Sequence, residues 1–354
     1  MTMRRALLCV VVWSVAVSGQ NRPAPARTEI SPGIFLFSTP RYGDVGLDGN
    51  SVAVTSRDGV LVFDTNGTPA AASAVLEQIR SVTSQPVRYI VNSHWHWDHW
   101  YGTESYVHAF PDVKVITHEK NRAMMLGPAI EFNRPGIERD LPGYITSVEK
   151  RAETDPSLRA LAADDRFFLD QKKSAHLVVA NTTFSDRMSI DMGDRRIEVL
   201  NYGRGVTPGD TFVYLPNDKV LLVGDLIVNP ITFALACYPS EWIRVLERID
   251  RLDANVIVTG HGAPLYDKEL LRATLDVFRT LVREGKAAKE RGLSADQAKD
   301  DVMPRLHDQM IRITKDDPRL NADFKVQMVD WFLHRVYDEL DGTLSDAIAA
   351  IPRS

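Results

Sequence analysis

The sequence predicts an α/β fold, and three observations carry that expectation. Apolar runs of strand length alternate with segments of helical spacing through the first third of the chain. Asp and His residues of metal-ligand type fall just beyond several of those runs, and the last quarter reads as helix throughout. Strand–helix–strand alternation suits layered sheets, because a sheet with two apolar faces must be covered by helices.

With 354 residues, 44% of them hydrophobic, the chain can bury one large core or two ordinary ones. A net charge of -5 leaves no electrostatic footprint for nucleic acid, so no nucleic-acid partner is expected. Arg4 and Arg5 precede an apolar run over residues 6–17, and small residues follow to Gly19, the order of a secretory signal peptide over 1–19. That run is shorter than the roughly 20 residues a membrane span needs, so no stable membrane insertion is expected once the leader is removed. Loss of Cys9 with the leader leaves Cys237 alone and no internal disulfide. The expected location is periplasmic or secreted.

Residues 20–28 read as a Pro-containing linker. Strands follow at 33–37, 51–55 and 59–64, the last two joined across Asp58-Gly59, a pair that favours a tight hairpin. Asp64 closes the third strand either as a turn residue or as a support for the loop described next. A helix over 70–82 leads to a strand at 87–91, and a helix over 100–110 to a strand at 113–118 that ends in His118. Residues 119–184, broken by Pro128, Pro135, Pro142 and Pro156, read as an inserted helical lid or a plain helical decoration. Strands resume at 196–200, then come a Gly-rich loop over 201–210 and a hairpin of 211–215 with 220–223 that ends in Gly224-Asp225. A helix over 241–252 precedes the strand 256–259 and Gly260-His261-Gly262. Residues 267–354 form a helical extension whose stripe of Val329, Phe332 and Val336 is assigned to the core.

The chemistry concentrates in His94-Trp95-His96-Trp97-Asp98-His99, which follows the strand at 87–91. Three imidazoles and a carboxylate crowded into six residues suit a bound cation, since these are donors zinc prefers. In an extended backbone His94 and His96 point to one side, and a turn then brings Asp98 and His99 round, a geometry for two adjacent metals. Trp95, Trp97, Trp100 and Tyr101 either line the pocket mouth or pack the loop against the sheet.

The pattern His94-x-His96-x-Asp98-His99, then Gly203-x-Gly205-x-Thr207-Pro208-Gly209-Asp210, Gly224-Asp225 and Gly260-His261-Gly262, resembles the metallo-β-lactamase superfamily. The resemblance implies a four-layer αββα sandwich over residues 29–266 with metals at one edge of the paired sheets. It implies that His94, His96 and a histidine from the Gly-rich loop hold the first metal. Asp98, His99 and His261 would hold the second, and Asp225 would bridge the two. This chain has Val206 where the loop histidine should stand. Valine offers no lone pair, so one zinc is expected to be strongly held at the second position, with the first weak or empty, unless the substrate, His118 or His176 supplies a donor.

The chemistry implied is hydrolytic: a metal lowers the pKa of its water from about 15.7 towards 7 and polarises the scissile bond, while Asp98 or Asp225 orients that water and takes its proton. The expected substrate is a small ester, lactone, thioester or amide, a β-lactam among them. The competing expectation is a metal-binding but catalytically impaired member of the same fold.

Overall fold

The computed structural model describes residues 22–346, so the leader expected over 1–19 lies outside the described residues. Two sheets stack face to face. The first takes its strands in chain order: β1 (Ala26–Ser31), β2 (Ile34–Ser38), β3 (Ser51–Ser56), β4 (Gly59–Phe63), β5 (Val87–Val91), β6 (Lys114–His118) and β7 (Thr182–Phe184). Pairing is antiparallel from β1 to β4 and parallel from β4 to β7. The second sheet holds β8 (Arg187–Asp191), β9 (Arg196–Leu200), β10 (Phe212–Leu215), β11 (Val220–Gly224) and β12 (Val256–Thr259), antiparallel except for the parallel pair β11–β12.

Strand alternation divides the core. Val52, Val54, Leu61 and Phe63 face Val199, Val213, Leu215 and Leu222 across the gap between sheets. Their neighbours Ala53, Val60 and Val62 point the other way and are covered by Ala72, Val75, Leu76 and Ile79 of α1 (Pro69–Val82). That helix starts cleanly because Thr68 caps the Ala71 N–H and Pro69 occupies the first turn. The helix expected over 100–110 is two pieces, α2 (Trp97–Trp100) and α3 (Thr103–Ala109). The break sits at Gly102, where a Cβ would stand 2.1 Å from the Thr65 carbonyl oxygen.

The stretch 119–184 departs from a strandless lid. It contains α4 (Glu119–Met125), α5 (Pro128–Pro135), α6 (Leu141–Thr154) and α7 (Arg159–Ser174), and it ends in β7, which extends the first sheet beside β6. Helix α7 is a buttress: Phe168 packs on Trp97 and Tyr42, Gln171 Oε1 accepts the Ala70 N–H at 2.8 Å, and Asp165 accepts the Asp44 N–H at 3.1 Å. β1 likewise begins inside the expected linker 20–28. Its first four residues are exposed, so backbone pairing to β2 holds it and no apolar alternation marks it in sequence.

The outer face of the second sheet is covered by α8 (Pro239–Asp250) and α9 (Glu269–Glu290). Beyond them lie α10 (Ala295–Val302), α11 (His307–Thr314), α12 (Pro318–Asp323), a π-helical stretch Phe324–Asp330, and α13 (Trp331–Asp341). Val329, Phe332 and Val336 are buried in one cluster with Leu221, Val223 and Ile257 of the sheet. The layers therefore run helix, sheet, sheet, helix, and the C-terminal helices share the core of the second sheet.

Trp242 joins these parts. It is fully buried, stacks near Phe278 of α9 and Phe332 of α13, and donates its indole N–H to the Leu226 carbonyl at 3.2 Å. Trp242→Ala should cost about 3–5 kcal/mol in urea unfolding. The C-terminal helices and the sheet should be lost in one transition; separate melting of residues 267–346 would contradict a shared core.

Candidate metal centre

The six residues expected to ligate metal, His94, His96, Asp98, His99, Asp225 and His261, stand on one edge of the sandwich past the ends of β5, β11 and β12, with Asp64 past the end of β4. Because β4–β5 and β11–β12 are parallel pairs, their C-terminal ends emerge together. The two sheets are tied along this edge: Asn50 donates from its backbone N–H to Gly260 O at 2.7 Å, and from Nδ2 to Thr259 O at 2.9 Å. Thr211 N–H donates to Ser93 O at 2.7 Å. Gly260 is required there, since a Cβ would fall 1.9 Å from Asp225 Oδ1.

Two donor sets form. His94, His96 and Asp225 bring one ligand atom each within 4.8 Å of one another, as do Asp98, His99 and His261. Asp225 spans both: Oδ2 lies 3.5 Å from His94 Nε2 and 4.0 Å from His96 Nδ1, while Oδ1 lies 3.3 Å from His99 Nε2 and 3.5 Å from His261 Nε2. Asp98 Oδ2 stands 3.0 Å from His261 Nε2 and 3.3 Å from His99 Nε2.

The residues fit a metal. His94 Nε2, His99 Nε2 and Asp225 Oδ1 are buried with no hydrogen-bond partner, and their convergence on one point suits a cation that would satisfy all three. Burial, with His99 and His96 beside it, pushes the His94 imidazole down to about 3, so it is a neutral donor. Burial pushes Asp98 and Asp225 up, but the surrounding imidazoles, His99 foremost, outweigh it and hold both carboxyls well below the usual range. His99 would be pushed down by burial, yet Asp98, Asp225 and Asp64 carry it well above the usual range. Protons on imidazole thus balance the carboxylates, and zinc, which takes imidazole and carboxylate donors, would displace them.

Asp64 resolves to a support. Fully buried at the end of β4 with φ at 58°, it accepts from Ser93 N–H, from Ser93 Oγ and from His99 Nδ1, each at 2.7 Å. Ser93 Oγ in turn lies 2.9 Å from His94 Nδ1. One carboxylate therefore orients a histidine of each set and turns their Nε2 atoms toward the centre.

Val206 is fully buried in the apolar cluster that contains Leu226 and Trp242. His118 caps α4, accepting the Lys120 N–H, and packs on Phe184; His176 is exposed and paired with Glu104. Neither belongs to either donor set.

Above the donors lies a cavity of about 460 Å³ bordered by His96, Asp98, Asp225 and His261. Trp95 and Trp97 line it, whereas Trp100 and Tyr101 are packed inside. Its apolar wall includes Phe132 of α5 together with Ile231, Phe233 and Leu235. Arg41, and Leu320, Asp323 and Gln327 of the C-terminal helices, are among the other residues that line it. No motif marks these wall residues; the only trace in sequence is a polar pair four apart, Asp323 and Gln327, interrupting an apolar stripe.

Because Asp64 fixes the ring of His99, Asp64→Asn should weaken zinc binding about 10–100-fold in chelator competition. Unchanged affinity would remove Asp64 from the support of the site.

The model of the metallo-beta-lactamase superfamily matches residues 44–261, well over half of the chain. The chain is 21% identical over 265 residues to the linear primary-alkylsulfatase of Pseudomonas sp., covering 69% of this chain and 48% of that protein. It is 26% identical over 242 residues to the metallo-beta-lactamase type 2 of Elizabethkingia meningoseptica, covering 66% and 86%. Among solved structures it resembles a stereoselective inverting sec-alkylsulfatase from Pseudomonas sp., with TM-score 0.63, 18% identity, and coverage of 93% and 52%. The chain thus spans about half the length of these alkylsulfatases. The family match across residues 44–261, the same stretch that carries the two donor sets, means that this chain belongs to the metallo-beta-lactamase superfamily.

Proposed function

We propose that the protein is an exported zinc-dependent hydrolase of a small carboxylic ester, lactone, thioester or amide that carries an apolar body. The observation that supports this most directly is the placement of both donor sets at the floor of a cavity with mostly apolar walls. Export rests on residues 1–19 alone.

Asp98, His99, His261 and Asp225 would hold one zinc, and His94 and His96 with Asp225 a second. Bound zinc supplies Lewis acidity and a water of lowered pKa. The chain's own groups do the rest. Asp98 engages both of its histidines through Oδ2, so Oδ1 is the atom available to accept a hydrogen bond from the attacking water and orient it. Asp225 is committed through both oxygens and serves to keep the two sets in register. Trp95, Phe132 and Phe233 exclude bulk water, which strengthens every charge interaction inside.

A second reading is hydrolysis of an alkyl sulfate ester. It is favoured by the likeness to the Pseudomonas sec-alkylsulfatase, which covers 93% of this chain and so extends into the C-terminal helices that wall the cavity. Arg41 at the cavity would suit an anionic head. Val206, which cannot ligate, favours a third outcome, a protein that binds zinc without turnover.

A zinc-loaded sample should cleave members of an ester, lactone, thioester and β-lactam panel, and Asp98→Asn should lower the rate at least about 100-fold. Release of sulfate from an alkyl sulfate alone would select the second reading, and bound zinc with no turnover on any substrate the third. Metal analysis should give one tightly held zinc per chain, rising to about two in Val206→His, which restores an imidazole where the family resemblance puts the loop histidine. Two tightly held zincs in the unmodified protein would contradict the assigned weakness of that set.

A further inference from the structure

We propose that Asp323 and Gln327 form a second recognition point in the cavity, selecting substrates that carry a cationic, hydrogen-bond-donating group away from the scissile bond. This rests on the hydrolase reading above, because it places the reacting bond at the donor sets. Both residues lie outside the 44–261 stretch shared with the family.

The two side chains lie four residues apart where α12 runs into the π-helical stretch Phe324–Asp330. Gln327 donates from Nε2 to Asp323 Oδ1 at 3.1 Å. That bond orients the pair and leaves two side-chain acceptors over, Asp323 Oδ2 and Gln327 Oε1, distinct from the Gln327 main-chain carbonyl. No lysine, arginine or histidine among the described residues forms an ion pair with Asp323.

The pair is held in place. Phe324, Met328 and Val329 are fully buried in the core behind it. The Gln327 carbonyl accepts the Ala234 N–H at 3.1 Å, and Trp331 packs on Phe233 with ring centres 4.7 Å apart. Phe233 in turn faces His96 at 6.0 Å. A carboxylate held this way beside Phe233 and Leu320 on the cavity wall favours a donor, and its charge favours a cation. Arg41 lines the same cavity with the opposite sign.

Hexylguanidinium and hexylurea test this as near-isosteres. The first is a fixed cation without a lone pair for zinc, and the second is neutral. Their Kd values are measured by calorimetry on the zinc-loaded full chain without substrate, so the result does not depend on turnover. Hexylguanidinium should bind at least about fivefold tighter, and the ratio should fall to about one in Asp323→Asn while Asp323→Glu keeps part of it. Melting curves show whether each variant is folded. Equal affinities in the unmodified protein, no measurable binding of either compound, or a ratio unchanged in folded Asp323→Asn would overturn the proposal. Failure to hydrolyse the ester panel would instead remove the hydrolase reading and leave the measured preference standing.

Discussion

The buried carboxylate of Asp64 is the contact on which the rest of the site depends. Removing such a group from water costs several kcal/mol unless hydrogen bonds replace hydration, and here three donors converge on its two oxygens. The left-handed backbone at Asp64 turns the chain out of β4 just where β5 delivers Ser93. In consequence the end of one strand fixes the first residue of the ligand loop and the ring of His99 together. The sheet is thus a jig for imidazoles, and its accuracy comes from strand pairing rather than from the loop itself.

Charge balance follows from that packing. Asp48, Asp64, Asp98, Asp210 and Asp225 are all buried on this side of the molecule, and burial alone pushes each upward. Imidazoles hold Asp98 and Asp225 down, whereas Asp48 rises to about 6 and Asp210 to about 7 under burial. One lysine enters the same region. Lys172 of α7 lies with Nζ 3.6 Å from the ring centre of Trp97 and 3.9 Å from that of Tyr101, without a hydrogen-bond partner. Burial pushes it well below the usual lysine range. The aliphatic stem and amine of Lys172 thus pack against Trp97 and Tyr101 of the ligand loop, and that contact joins the loop to the buttress helix.

Legibility in sequence tracked how local each feature is. Four donors within six residues need no tertiary information, and Asp225 and His261 betray themselves by standing just past apolar strands. The alternation of strands and helices gave α/β layering, and the four-layer sandwich was implied by the family resemblance that the same motifs carry. What stayed hidden depends on contacts between distant segments. β8 is the exception, since Arg187-Met188-Ser189-Ile190-Asp191 alternates at strand period and pairs with neighbouring β9, but two apolar residues are too few to stand out in the sequence. β7 has three residues and exists only beside β6. The buttress role of α7 rests on Phe168, Gln171 and Lys172, none of which carries a motif.

The C-terminal helices illustrate how one segment serves stability and recognition at once. Their apolar stripe is core, as its helical spacing required, and that burial is what lets the opposite side act. A polar residue on a mobile segment would surrender binding energy to the cost of ordering it. Asp323 and Gln327 avoid that cost because Phe324, Met328 and Val329 behind them are already fixed against the second sheet. The backbone bond from Ala234 to Gln327 then couples this wall to the loop that follows Asp225. A displacement of the helices would therefore be felt at Phe233 and, through it, beside His96. In this chain the shared scaffold supplies the reacting floor, and a segment outside the family stretch supplies part of the wall that decides what reaches it.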